Sequence, residues 1–187
     1  ALYSFCDADG VLQIMCGTHV DDLIWAATPE YEHMILKVTG AFKCGDPEEK
    51  CFRYCGKEVT QDDDFNIVVT CRSTTMKLEP IRVKPGRKNG QQLNDEEKTQ
   101  MKSVAGSLQW IARQVRPELD FRTSKIQQIA STGKVQDIKF ANKVVRYARE
   151  TADRGLTFKA GVIDWRNMVN IVVTDASHAN ECEVGIT

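Results

Sequence analysis

The chain has 187 residues, of which 42% are hydrophobic and 27% are charged, and its net charge is −1. This composition supports a buried core in one or two domains and excludes a disordered chain. The sequence has no apolar run near the roughly 18 residues of a membrane span, and no secretory signal segment opens it. We therefore expect an intracellular protein that is not secreted, binds no membrane and keeps its cysteines reduced.

The ends of the sequence suggest a piece of a longer polypeptide. The first residue is Ala1 rather than methionine, and the last residues, 183–187, have the composition of an interrupted strand. We therefore expect further chain on both sides.

Charge is unevenly distributed along the sequence. Residues 1–60 carry five Lys or Arg against ten Asp or Glu, whereas residues 101–160 carry twelve against five. An acidic section followed by a basic one suits a metal site beside a surface that binds phosphates. Ordinary charge clustering on a solvated helical face explains the basic section equally well.

The first 27 residues predict antiparallel strands with two carboxylates at one tip. Apolar runs lie at residues 1–6, 11–16 and 23–27, and Asp9-Gly10 is a turn signal between the first two. Asp21 and Asp22 lie between the second and third runs. Adjacent carboxylates beside an apolar sheet repel each other unless a cation binds them, and Mg²⁺ accepts one or two carboxylates plus phosphate oxygens. The alternative is an acidic turn that binds nothing.

Thr28-Pro29 predicts a helix start, with Thr28 as the N-cap and Pro29 at the first helical position. Lys43 and Gly45 predict the end of this helix. An apolar stripe at helical spacing should pack on the sheet: Tyr31, Met34, Ile35, Val38 and Phe42.

Residues 51–60 and 65–71 are β-rich, and we interpret the acidic residues 61–64 between them as a solvated turn. Cys51 and Cys55 are four positions apart in the first of these segments. In a strand their side chains would lie roughly 13 Å apart, too far to share one zinc ion.

The second half of the chain predicts a small helical bundle. Asn94 and Glu97 form a capping-box pattern that starts a helix, and Pro117 ends it. A last helix, from Val135 to about Thr151, has two distinct faces. We expect one face to be buried (Ile138, Ala141, Val145 and Ala148) and another to carry Lys139, Lys143 and Arg146. We interpret residues 80–93 as a linker that either contacts phosphates or is flexible and solvated.

Several segments resemble the reverse transcriptases of copia-type LTR retrotransposon Pol polyproteins. Residues 19–24, HVDDLI, are similar to the polymerase motif, with His19 in place of the usual aromatic residue. Residues 104–112, VAGSLQWIA, and 116–119, RPEL, resemble the family's V-G-S-L-x-Y-L-A and R-P-D-I run. Residues 143–147, KVVRY, and 151–156, TADRGL, resemble its K-R-V-L-R-Y-L-K-G-T-x-x-x-G-L segment.

The resemblance implies an α+β fold. It would consist of an antiparallel palm-type sheet with a packed helix, a thumb-like bundle of three helices and a terminal strand hairpin. The implied domains are a partial polymerase palm (1–79), a linker (80–93), a helical thumb or connection (94–154) and the truncated start of a ribonuclease H domain (155–187).

The resemblance also implies a fragment of an RNA-directed DNA polymerase, in which Asp21 and Asp22 bind Mg²⁺ or Mn²⁺ in a two-metal site. The upstream palm carboxylate and the fingers lie outside this chain, so it is expected to be inactive alone. Asp175, at the end of a predicted strand over 168–173, matches a metal-binding carboxylate of ribonuclease H. The implied partners are an RNA or DNA template–primer duplex, deoxynucleoside triphosphates and the rest of the Pol polyprotein, in a cytoplasmic particle or the nucleus.

Exposed cations on the last helix would bind a duplex through its backbone, and His19 would stack on a sugar or base. The expected nucleic-acid contacts are therefore His19, Lys139, Lys143 and Arg146. Two other hypotheses stay open: a catalytically dead retroelement remnant that only binds nucleic acid, and a metal-independent α+β interaction domain.

Overall fold

A computed structural model describes residues 1–42 and 44–162. The first sheet has strand order β1-β2-β3 and is antiparallel, with β1 at Leu2–Cys6, β2 at Leu12–His19 and β3 at Asp22–Ala27. Asp7 Oδ1 accepts the backbone N–H groups of Asp9 and Val11 in the first turn. The predicted strands of this segment are confirmed.

Helix α1 spans Glu32–Ala41 and starts later than predicted. Its N-cap is Tyr31, which makes no side-chain capping bond, so the prediction that Thr28 caps the helix is wrong. Instead, the Thr28 hydroxyl donates to Gln13 Oε1 on β2 at 2.7 Å. Ile35 is the one fully buried residue of the predicted apolar stripe, because this small sheet covers little of the helix.

The second sheet is antiparallel with strand order β4-β5-β6-β7. Its strands are β4 at Cys51–Tyr54, β5 at Lys57–Gln61, β6 at Ile67–Thr70 and β7 at Leu156–Phe158. The prediction of one strand through 51–60 is wrong, because Cys55 and Gly56 form a turn with φ values of 48° and 77°. Positive φ at both central residues is typical of the tight type I′ hairpin. Residues 61–64 form the predicted turn, in which Asp62 accepts the backbone N–H groups of Asp64 and Asn66.

The helical part consists of α2 at Arg72–Met76, α3 at Asp95–Gln114, a 3₁₀ turn at Pro117–Leu119, α4 at Asp120–Ile129 and α5 at Val135–Glu150. The capping box is confirmed, since Asn94 Oδ1 accepts from the Glu97 N–H and Glu97 Oε2 accepts from the Asn94 N–H. The predicted end of α3 before Pro117 and the predicted start of α5 are also confirmed.

Contacts at both ends of α3 show how it is oriented relative to α5. The Leu93 N–H donates to the Gly133 carbonyl at the start of both helices. At the other end, the side chain of Arg116 is 1% exposed and donates to the Thr151 carbonyl and hydroxyl and to Glu118. Helices α3 and α5 are therefore parallel. Arg116 and Thr151 belong to two of the segments that resemble reverse transcriptases, and here they join helix ends.

The larger core lies among the helices and includes residues that precede them. Ile138, Ala141, Val145 and Ala148 are buried as predicted, with Met101, Leu108 and Ile111 of α3. The predicted linker, 80–93, has no helix or strand of its own. The interpretation of this segment as flexible and solvated is wrong at Ile81 and Leu93, because both residues are buried in this core.

The last described strand belongs to the second sheet. Strand β7 pairs with β6 and so joins the sheet formed by residues 51–70. The predicted strand over 168–173 and Asp175 lie outside the described residues.

Candidate metal and nucleic-acid-binding site

The carboxylate pair lies at the tip of the β2–β3 hairpin. His19 pairs with Asp22 across the strands, which leaves Val20 and Asp21 as the turn. Val20 has a φ of 55° and is 94% exposed. A positive φ is unusual for a β-branched residue, and such strain is found most often at turns and functional sites. Both carboxylates are exposed to solvent, as the predicted metal site requires.

The two carboxylates have different surroundings. Asp22 Oδ2 accepts the backbone N–H of Cys55 at 3.3 Å, which joins this tip to the β4–β5 turn. Among the residues that the structure describes, Asp21 has no hydrogen bond or ion pair. Asp21 therefore offers both oxygens to a ligand, whereas Asp22 offers one free oxygen and one that a weak hydrogen bond orients.

Tyr54 is a site residue that the sequence interpretation missed. A Cβ atom on Gly17 of β2 would lie 3.8 Å from the Tyr54 hydroxyl, so this ring reaches the face of the first sheet close to the tip. Burial raises the pKa of Tyr54, and its interactions with Cys55 and with the negative charge of Asp22 raise it further. The phenol is therefore a neutral donor near the carboxylates at physiological pH. The turn signal Cys55-Gly56 could have indicated its position at the end of a short strand.

The β4–β5 turn connects the tip to helix α3. A Cβ atom on Gly56 would lie 3.3 Å from the ring of Trp110, so the turn passes close under this side chain. Next to it, Lys57 Nζ donates to Gln114 Oε1 at 3.0 Å. The carboxylates are thus linked through one hairpin to the C-terminal half of α3.

The donor set at the tip fits a hard, oxygen-binding cation. Mg²⁺ takes one or two protein carboxylates and fills its other positions with water or phosphate oxygens. Asp21 and Asp22 supply such carboxylates at an exposed tip. No cluster of three or more His, Cys, Asp or Glu suited to a metal occurs within residues 1–42 and 44–162. A complete protein cage is therefore not formed by this part of the chain, and phosphate oxygens would have to supply further ligands.

The predicted cationic residues of α5 are exposed. Lys139, Lys143 and Arg146 lie on the face opposite the buried residues of that helix. In the described part of the chain, none of the three forms an ion pair with a carboxylate. They are available to bind phosphates, although their role in nucleic-acid binding stays a prediction.

The structure does not bring all the predicted site residues together. His19 pairs with Asp22 across the hairpin and is exposed beside the carboxylates. No hydrogen bond or ion pair within the described ranges joins this tip to the cations of α5, and its contacts lead to α3 instead. Asp175 lies outside the described residues.

Comparisons with family models, with curated proteins and with solved structures found no match. In the described ranges, no helix is both long and apolar enough to cross a bilayer. The coarse architecture, mixed α and β with antiparallel sheets and several helices, agrees with the predicted α+β class.

Proposed function

We propose that this chain is a fragment of an RNA-directed DNA polymerase that carries its metal-binding carboxylate hairpin and a helical surface for nucleic acid. One observation carries the proposal. The carboxylate pair is exposed at the tip of an antiparallel hairpin, directly after a residue with positive φ. In this proposal the first sheet and α1 belong to a polymerase palm, and α3 to α5 belong to a thumb.

The chemistry assigned to the tip is the binding of a divalent cation with the phosphates of a nucleotide. When bound, Mg²⁺ or Mn²⁺ would stabilise the attacking and leaving oxygens of nucleotidyl transfer. Asp21 contributes two free oxygens and is the principal ligand, whereas Asp22 contributes the oxygen that is not bonded to Cys55. The neutral Tyr54 hydroxyl adds a donor on the same side of the sheet. Residues beyond this chain complete the site, so we expect metal binding without polymerisation from this chain alone.

Manganese titration followed by NMR tests the proposal residue by residue. Mn²⁺ broadens the backbone amide signals of nearby residues, so ¹H–¹⁵N spectra should lose the signals of residues 19–22 first. Asp21→Asn and Asp22→Asn each remove one ligand charge and should raise the Mn²⁺ concentration that is required. Asp63→Asn is the matched control, because Asp63 lies in an exposed acidic turn outside the site. Broadening that begins at residues 62–64, or that persists in both tip variants, would show that the pair is not a metal site.

The cationic surface of α5 favours a second candidate, a remnant that binds nucleic acid and has lost metal chemistry. Its specific support is that Lys139, Lys143 and Arg146 have no carboxylate partner in the described chain. DNA binding that is unchanged by Asp21→Asn, together with no metal response at the tip, would favour this candidate over the polymerase fragment.

A further inference from the structure

Two arginines contact one tyrosine ring at the C-terminal end of α5. The Cζ atom of Arg122, on α4, lies 4.7 Å from the centroid of the Tyr147 ring. The Cζ atom of Arg154, which follows α5, lies 5.9 Å from the same centroid, and its Nη1 donates to the Tyr147 hydroxyl at 2.9 Å. We call Arg122, Tyr147 and Arg154 the Tyr147 cluster.

The two guanidinium groups of the Tyr147 cluster lack a counter-charge. Nearby arginines are neutralised, since Arg116 pairs with Glu118 and Arg72 pairs with Asp153. By contrast, no carboxylate oxygen in residues 1–42 and 44–162 lies within 4 Å of the nitrogens of Arg122 or Arg154. The face of an aromatic ring attracts cations but carries no net charge. The cluster therefore keeps two positive charges on one exposed surface.

The surrounding structure holds the cluster in place. The buried side chain of Arg116 donates to the carbonyl and hydroxyl of Thr151, which fixes the turn that carries Arg154. The Thr151 hydroxyl in turn donates to the Tyr147 carbonyl. Because the ring and the following turn are tied to the bundle, the guanidinium groups lose less conformational freedom when they bind a ligand.

We propose that the Tyr147 cluster binds the phosphodiester backbone of nucleic acid. A guanidinium group matches phosphate with parallel N–H bonds, and Arg122 has no hydrogen-bond acceptor among the described residues. The exposed cations Lys143 and Arg146 lie beside Tyr147 on α5, so the cluster extends a cationic surface along the helix. Such a surface suits a ligand with regularly repeated phosphates. The inference rests on the proposed nucleic-acid function and assigns it residues that the sequence did not indicate.

Fluorescence anisotropy with labelled 20-nucleotide single-stranded and duplex DNA tests this assignment across a salt series. Arg122→Ala with Arg154→Ala should lower the slope of log K against log salt by about 1.4 for single strands and about 1.8 for duplex. Arg122→Lys with Arg154→Lys keeps both charges, so the slope should be retained. The affinity of this lysine variant should nevertheless fall by roughly three- to tenfold. A lysine ammonium neither stacks flat on the Tyr147 ring nor donates two parallel N–H bonds to one phosphate.

Arg149 provides the matched control. It is an exposed arginine on the same helix, but it lines the groove beside residues 76–82 and contacts no aromatic ring in the described part of the chain. Arg149→Lys and Arg149→Ala should change binding less than the corresponding variants of the Tyr147 cluster. Circular dichroism at 222 nm confirms that each variant is folded before its affinity is compared.

Different results would contradict the assignment of the Tyr147 cluster and the proposed nucleic-acid function. If the variants of the cluster behave like those of Arg149 while Lys139→Ala, Lys143→Ala and Arg146→Ala together abolish binding, the cluster assignment is wrong and the proposed function stands. Lysine variants that bind like the wild type would show that charge alone matters, which also overturns the assignment. Equal affinity for polyglutamate and DNA would overturn the phosphodiester specificity. No binding of either DNA at 50 mM salt would contradict both proposals.

Discussion

Replacing Glu97 with alanine should destabilise the helical part of the protein by about 2–4 kcal/mol. The Glu97 side chain is 2% exposed and accepts three hydrogen bonds, one from the Asn94 N–H and two from the Arg87 guanidinium. Loss of a helix cap costs about 0.5–2 kcal/mol, and a hydrogen bond to a charged group contributes about 1.5–3 kcal/mol. The total is less than the sum, because Arg87 is 22% exposed and keeps the Gln92 carbonyl as an acceptor.

Urea unfolding followed by circular dichroism at 222 nm measures this loss. Glu96→Ala is the matched control, since Glu96 is adjacent on the same helix and its side chain is 58% exposed. The control should change the free energy of unfolding by no more than about 0.5 kcal/mol. If Glu97→Ala and Glu96→Ala have the same midpoint and slope, the buried contact with Arg87 does not stabilise α3 and the reasoning fails.

Four further predictions concern stability. The Arg87 hydrogen bond lowers the pKa of Glu97, so the stability lost in Glu97→Ala should be largest above the unfolded pKa of about 4.3 and should disappear as pH falls through the lower folded pKa. Denaturation curves from pH 3 to 7 check this, and a pH-independent difference would contradict it. A Cβ on Gly155 would lie 2.0 Å from the Val69 carbonyl oxygen, so Gly155→Ala should lower the melting temperature and weaken amide protection in β7. Gly106→Ala meets no atom within 4 Å and should stabilise α3 by roughly 0.5–1 kcal/mol; a loss of stability would be contrary evidence. Arg116→Lys cannot make all three hydrogen bonds of the buried guanidinium and should cost about 2–4 kcal/mol by urea unfolding, whereas an unchanged midpoint would show that water replaces them.

Local signals predicted the start and the end of α3 and the start of α5, whereas no helix was predicted over Asp120–Ile129, where α4 lies. The reciprocal bonds of Asn94 and Glu97 depend on residues three positions apart, so the sequence alone indicated where α3 begins. Proline removes a backbone donor and restricts the chain before it, which marked the end of α3 ahead of Pro117. The burial of one face of α5 followed from apolar spacing in the same way.

The predictions failed where a distant residue competed with a local pattern. Thr28 has the side chain of a helix N-cap, but its hydroxyl donates to Gln13, which the fold of the first sheet places beside it. The hairpin within the β-rich segment 51–60 was missed for another reason, because the local turn signal Cys55-Gly56 was not used and Tyr54 pairs with Lys57 across it. Ile81 and Leu93 lie in a segment without periodicity, so no local pattern indicated that the bundle would bury them.

The sequence by itself determined the carboxylate hairpin, the start of α3 and the exposed cations of α5, because each depends on residues within a few positions of one another. Tertiary structure decided which distant groups meet. It placed Tyr54 and Cys55 beside Asp22, and it joined Arg122 and Arg154 to one ring. Such contacts depend on the path of the whole chain and on which surfaces pack together, and the spacing of residues in a sequence does not encode either one directly.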